Sequence, residues 1–212
     1  MKFIVLISIL LFFACAPKPP HEAGHFKPSD LVELKKLSPD IKLDIRYATN
    51  ANLAGRPVYK EARAFLQRPA AEALLKVNKD LHKQGYGLLI FDGYRPWSVT
   101  KLFWDITPAE NKNFVADPKK GSKHNRGCAV DLSMYDLSTG QEIEMPGVYD
   151  EMSECSLPDY KGGTEKQREM RDLLRASMEA HGFTVYEYEW WHFDYKDWPS
   201  YRIGNIPFDK IK

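Results

Sequence analysis

The sequence predicts an α+β domain in which a small antiparallel β-sheet is flanked by helices, and three observations predict it. Two stretches, 69–85 and 164–182, repeat apolar residues at helical spacing between recognisable starts and stops. Four short apolar or alternating runs, at 43–47, 88–91, 128–133 and 183–189, have the length of strands. These elements follow one another without the regular alternation of strand and crossover helix that builds a parallel sheet. A chain of 212 residues with 43% hydrophobic content has room for one such domain and short appendages, not two.

The first appendage is the N-terminus. Met1 and Lys2 precede an apolar run over 3–14 that ends at Cys15, with the n-region and h-region of a secretory signal. The run is too short to cross a bilayer. Phe12, Phe13, Ala14 and Cys15 resemble a bacterial lipobox, with Phe at a position where Leu is usual. The expectation is an exported protein of the cell envelope or periplasm, attached to a membrane only through a lipid on Cys15. Residues 16–28, with four prolines and two histidines, read as the tether between anchor and domain.

Within the domain, which spans 29–212, Leu43, Ile45 and Tyr47 alternate with polar residues as in a strand, and 49–56 is an Asn- and Gly-containing loop. Pro69 sits where a first-turn proline belongs. Ala70, Leu74, Val77 and Leu81 then continue a helix that Gly85 stops. Leu88 to Phe91 suit a buried strand, Asp92-Gly93-Tyr94-Arg95-Pro96 a turn, and 96–105 a second helix. The polar stretch 107–122 reads as a surface loop, and 128–133 as a strand. The Gly-, Pro-, Ser- and Asp-rich stretch 136–163 is long enough for a lid or substrate loop. Thr164 and Gln167 form a capping box for a helix running to about His181, with Met170, Leu173, Leu174 and Met178 on one face. Phe183, Val185, Glu187 and Glu189 share one side of a final strand.

Composition excludes some partners. Thirty Lys and Arg against 29 Asp and Glu leave a formal charge of +1, and no basic stretch is interleaved with aromatics, so a nucleic-acid groove is not expected. Nothing implies an obligate protein partner. Cys128 and Cys155 could pair in an oxidising compartment or stand as separate thiols; their spacing does not decide.

The chemistry lies in two clusters. His21 and His25 belong to the tether, while His82 and His181 sit on helices where a polar ring needs no further role. His124 and His192 each stand near a carboxylate. In Ser122-Lys123-His124-Asn125-Arg126-Gly127-Cys128-Ala129-Val130-Asp131, a loop histidine precedes a strand carboxylate, and Gly127 lets the backbone fold so that the two can converge. Alone, this is more often an ordinary hydrogen-bonded pair. In Glu187-Tyr188-Glu189-Trp190-Trp191-His192-Phe193-Asp194 the aromatics alone could be core packing. A regular strand would point Glu189 and His192 to opposite faces, so their joint use demands a bend or a strand end between them. Together the clusters offer two histidines and one carboxylate as ligands, plus a second carboxylate close by. Three protein ligands with one open position is the catalytic zinc arrangement.

Ser-x-His-x-x-Gly-x-Ala-x-Asp at 122–131 followed by Glu-x-x-His at 189–192 resembles the zinc-dependent D-alanyl-D-alanine dipeptidases. Gly93-Tyr94-Arg95-Pro96 and the block 46–58, with Arg-Tyr-Ala-Thr, an Asn and Gly-Arg-Pro-Val, are similar too, so the resemblance covers nearly all of the mature chain. It implies the fold of the D-Ala-D-Ala and hedgehog-type zinc domains, one zinc ion per chain on His124, Asp131 and His192, Glu189 as general base, and Arg95 as transition-state stabiliser. It also implies Ser122 and Asp150 at the amino end of a small dipeptide, with Tyr47 and Asn52 lining the pocket. A related murein D,D-carboxypeptidase or L,D-endopeptidase would use the same metal in an open groove, and a non-catalytic zinc-binding module would keep the ligands without turnover.

Overall fold

The computed structural model describes residues 17–211; the signal segment and Cys15 lie outside the described residues. The core is built on two helices. α2 (Arg68–His82) has proline in its first turn and buries Leu74, Val77 and Leu81, and Gly85 with φ 87° releases the chain from it. α4 (Glu165–Glu179) starts at the expected capping box: the Thr164 hydroxyl accepts from the Gln167 N–H at 3.2 Å, and the Gln167 side chain accepts from the Thr164 N–H at 2.8 Å. Its buried face is Met170, Leu174 and Met178.

These helices pack on each other and on a five-stranded sheet. Its strands are β2 (Lys42–Leu43), β4 (Tyr86–Asp92), β5 (Ala129–Asp136), β6 (Phe183–Tyr186) and β7 (Glu189–Tyr195), in the order β2-β4-β5-β7-β6. All neighbours are antiparallel except β2 and β4. A second sheet pairs β1 (Leu31–Glu33) with β3 (Phe65–Gln67); α1 (Leu34–Leu37) follows β1. α3 (Trp97–Ile106) occupies the second helical stretch read from the sequence.

Alternation along β5 decides what each face carries. Val130 and Leu132 are fully buried and point one way, so Asp131 between them points the other. Register then lines up three strands: Asp92 pairs with Asp131 across β4 and β5, and Asp131 pairs with His192 across β5 and β7. Three polar residues from distant parts of the chain thus share one buried row.

Two strand expectations are corrected. The alternation Leu43, Ile45, Tyr47 does not make one strand: only 42–43 pair, and after the Asp44 N–H reaches Ile90 O, the Arg46 N–H turns back to the Asp44 carbonyl and a 3-10 turn follows at Arg46–Ala48. Residues 183–189 are not one strand either. A turn at Glu187 and Tyr188 folds β6 onto β7, with a register shift after Val185, so Glu187 lies in the turn and Glu189 opens the next strand. Glu189 and His192 both lie in β7, and the register shift leaves Trp190, Trp191 and His192 between the partners of Tyr186 and Val185, so a bulge within the strand supplies the bend demanded between them. Cys128 and Cys155 are both free, the first buried and the second half-buried.

Candidate metal centre and active site

His124 is delivered by a 3-10 turn, His124–Arg126, that ends at Gly127 with φ 68°, a left-handed conformation natural to glycine. Its Nδ1 lies 2.7 Å from the Gly93 carbonyl oxygen. A carbonyl can only accept, so Nδ1 carries the proton and Nε2 is a bare lone pair. His192 is held in the complementary way: its Nε2 faces Asp194 Oδ1 at 3.0 Å, and its Nδ1 faces inward. Between them stands Asp131, whose Oδ1 is 3.2 Å from His124 Nε2 and 3.0 Å from His192 Nδ1. The two inward nitrogens are 3.1 Å apart.

That triangle contains no hydrogen bond to Asp131 Oδ1, which is buried and unpartnered. With His192 neutral these are three lone pairs aimed at one point of a dry site, an arrangement that calls for a cation among them, either a metal ion or the proton that His192 carries in its place. Two imidazoles and a carboxylate, with ligand atoms all within 4.8 Å of one another, are a donor set suited to a divalent metal. Both outer nitrogens are hydrogen-bonded, as metal-ligating histidines require.

The electrostatics of the metal-free protein tell the same story from the other side. Burial disfavours a charge on His192, but the Asp131 and Asp194 carboxylates outweigh it and lift the ring to about 10. Burial works against the Asp131 anion, yet the two imidazoles hold its carboxyl far below the usual range. At pH 7, then, His192 is protonated without metal and must be neutral to ligate. Metal binding is expected to release at least one proton per site, measured by calorimetry as a dependence of binding enthalpy on the buffer's ionisation enthalpy; a zero slope would contradict this.

Glu189 is close but is not part of the triangle. Its Oε2 lies 3.7 Å from His192 Nδ1. Burial, opposed by His192 and reinforced by Asp131 and Asp150, raises its carboxyl to about 8, and a bound dication would draw it back down. A carboxylate so placed is the natural acceptor for a proton from water beside the metal.

Arg95 approaches the other oxygen of Asp131. Its side chain, 12% exposed, donates from Nε to Asp92 Oδ2 at 2.9 Å and reaches Asp131 Oδ2 at 3.5 Å. The guanidinium lies over the rings of Tyr47 at 5.2 Å and Phe103 at 5.5 Å. Asp92, almost wholly buried, also accepts from the Tyr59 hydroxyl and the Gly93 N–H, both at 2.9 Å. The planar head is therefore locked before any substrate arrives.

His124, Asp131, His192, Glu189 and Arg95 open onto one cavity of about 530 Å³. Tyr47, Arg95, Ser122 and Asp150 line it with the ligands and Glu189. The Tyr47 hydroxyl donates to Asp150 Oδ2 at 3.0 Å. Asp150 counts as exposed because the cavity opens onto it, yet protein surrounds it closely enough that loss of water, with the charge of Asp131 second, lifts its carboxyl to about 6. It is also the one non-glycine residue with positive φ among the described residues, at 62°. Asn52 stands apart from the lining. Its amide donates to the carbonyls of Arg46, Thr49 and Arg56 and accepts from the Ala54 N–H, so it shapes the loop that presents Leu53 to the cavity.

The 136–163 loop supplies Asp150 and Met152 to the wall, and 107–122, read as a surface loop, supplies Phe114, Val115 and Ala116. The Tyr149 hydroxyl donates to Asp131 Oδ2 at 3.3 Å. Asp194 escaped notice as a site residue although a signal existed: it lies two residues beyond His192 on a strand, hence on the same face. Lys123 donates to its second oxygen. Asp194→Ala is expected to weaken metal binding by about 10–100-fold, read by competition with a chelator; an unchanged dissociation constant would refute the support role.

Three side chains that could ligate one metal, with a further carboxylate beside them on the same cavity, are the arrangement a single-metal hydrolase uses. The chain belongs to the peptidase M15 family: the family model described as D-ala-D-ala dipeptidase matches residues 27–208. It is 34% identical to the D-alanyl-D-alanine dipeptidase of Escherichia coli (strain K12) over 175 residues, 82% of this chain and 89% of that protein. With the D-alanyl-D-alanine dipeptidase of Enterococcus faecium it shares 35% over 187 residues, 78% of this chain and 91% of that protein. Among solved structures, the LdcB LD-carboxypeptidase aligns over 88% of this chain and 80% of its own at 21% identity, with a TM-score of 0.48. The chain is accordingly a metallopeptidase of the dipeptidase kind.

Proposed function

We propose that this protein hydrolyses the dipeptide D-Ala-D-Ala to two D-alanines, using one zinc ion held by His124, Asp131 and His192. The observation that carries the proposal is the buried lone-pair triangle with Glu189 beside it and Asp150 across the same cavity. Zinc bound there supplies Lewis acidity, polarising a carbonyl and lowering the pKa of a water to about 7. Glu189 accepts the proton of the attacking water and returns it to the leaving amine. Arg95 faces the developing oxyanion with a charge whose geometry is fixed by Asp92. Asp150, with Tyr47 and Ser122, receives the substrate's ammonium group. A cavity walled by 136–163 and 107–122 suits a short substrate better than a murein strand.

The test is hydrolysis of D-Ala-D-Ala by the zinc-loaded protein, with L-Ala-L-Ala and a D-Ala-terminated pentapeptide in parallel. Selective cleavage of the D,D-dipeptide is expected. Preference for the pentapeptide would make it a carboxypeptidase, and zinc binding without turnover would make it a binding module. The envelope location through a lipid on Cys15 belongs to the same proposal, and Cys15→Ala is expected to move the protein out of the membrane fraction.

A further inference from the structure

Residues 17–28 form neither helix nor strand, and the family match begins only at residue 27. They are nonetheless laid against the domain at three points. Lys27 donates its N–H to Ser200 O at 2.8 Å, and the Phe26 ring lies 4.7 Å from the Arg202 guanidinium. Glu22 makes the third contact with both carboxylate oxygens. One accepts from Arg126 and the other from the Ile203 N–H at 2.7 Å. The Glu22 side chain is 17% exposed and that of Arg126 11%, so the pair is largely withdrawn from water, where its attraction exceeds that of a surface pair.

What Glu22 ties together is the turn carrying His124 and the segment that follows β7. Arg126 is the last residue of that turn, and it also donates to the Tyr201 carbonyl. Its guanidinium lies 5.5 Å from the Trp198 ring, which also takes the Lys123 ammonium at 5.3 Å; Lys123 in turn holds Asp194, the partner of His192. The Gly204 N–H donates to the Asn125 carbonyl at 2.8 Å. The Ile203 side chain is pressed so close to Gly121 that a Cβ there would come within 2.4 Å of it. One layer therefore backs both imidazoles, and Glu22 closes it from outside.

We infer that residues 17–28 are a strap that belongs to the support of the metal centre, with Glu22 as a positioning residue acting through Arg126. The inference rests on His124, Asp131 and His192 being metal ligands, and is independent of which peptide is cleaved. In the full chain, Glu22→Ala, Arg126→Ala and the double variant are compared for zinc dissociation constant at 25 °C, for kcat and KM, and for Tm of the metal-free protein. Each single change is expected to raise the zinc Kd and lower kcat about tenfold, the low end of the effect of outer partners, with KM less affected. The double variant should be no worse than the worse single, because one tie is lost. Glu22→Gln keeps an acceptor for the Ile203 N–H, so it tests the charge alone should Glu22→Ala fail to fold, with about a threefold rise in Kd expected. A lower Tm with unchanged Kd and kcat would make the strap mere packing and overturn the inference, as would additive single effects. A wild-type chain that binds no zinc would overturn both this inference and the metal site beneath it.

Discussion

Glu189→Gln is expected to lower kcat by about 10²–10⁴-fold, the range for a positioned general base, while zinc affinity changes only a few-fold. The separation follows from geometry. Glu189 lies beside the ligand triangle, 3.7 Å from His192 Nδ1, but contributes no atom to it, so the amide can occupy the same half-buried space without disturbing the ligands. The pH profile sharpens the test. Burial raises this carboxyl to about 8 in the metal-free protein, and the dication lowers it, so wild-type activity should fall towards acid as Glu189 takes up a proton. The glutamine variant has no such proton to take up, and its residual activity should lose that acid limb. A variant that keeps wild-type kcat would remove Glu189 from the chemistry.

Arg95→Ala is expected to lower kcat by about 10²–10³-fold, as loss of an oxyanion donor does elsewhere, and KM less. Arg95→Lys should recover little, since a single ammonium cannot span Asp92 and Asp131 as the guanidinium does. The alanine change also leaves the nearly inaccessible Asp92 without its cation, and breaking one side of a buried pair typically costs about 3–5 kcal/mol. Tm must therefore be measured with kcat. A variant of unchanged turnover and lower Tm would make Arg95 a structural residue.

The two motif clusters, each ambiguous alone, named His124, Asp131, His192 and Glu189 as one set when joined, and the structure brings those four side chains to one place. What they could not supply was register. Asp131 faces His192 only because β5 and β7 pair antiparallel with those residues opposed, and 60 intervening residues carry no local trace of that. Helices were easiest to read, since Pro69, the Thr164 and Gln167 pair and the glycines at 85 and 182 act locally. Strand ends were hardest. Glu187-Tyr188 makes a hairpin turn without Gly or Asn, and the 43–47 alternation stops pairing after two residues at the sheet's edge. Asn52 illustrates a different limit: resemblance put it in the pocket wall, while three backbone carbonyls hold its amide within its own loop. The strap at Glu22 could not be read at all, because an acidic residue among prolines has no partner in view until residues 126 and 203 are brought beside it.

The central claim is that one metal sits among His124, Asp131 and His192, with Glu189 facing it unbound. Anomalous diffraction at the zinc edge from crystals of the zinc-loaded protein tests it most directly. A single peak is expected at about 2.0–2.2 Å from His124 Nε2, His192 Nδ1 and an Asp131 oxygen, with Glu189 outside ligand distance. A peak elsewhere, or one ligated by Glu189 in place of Asp131, would contradict the assignment of both the metal and the base.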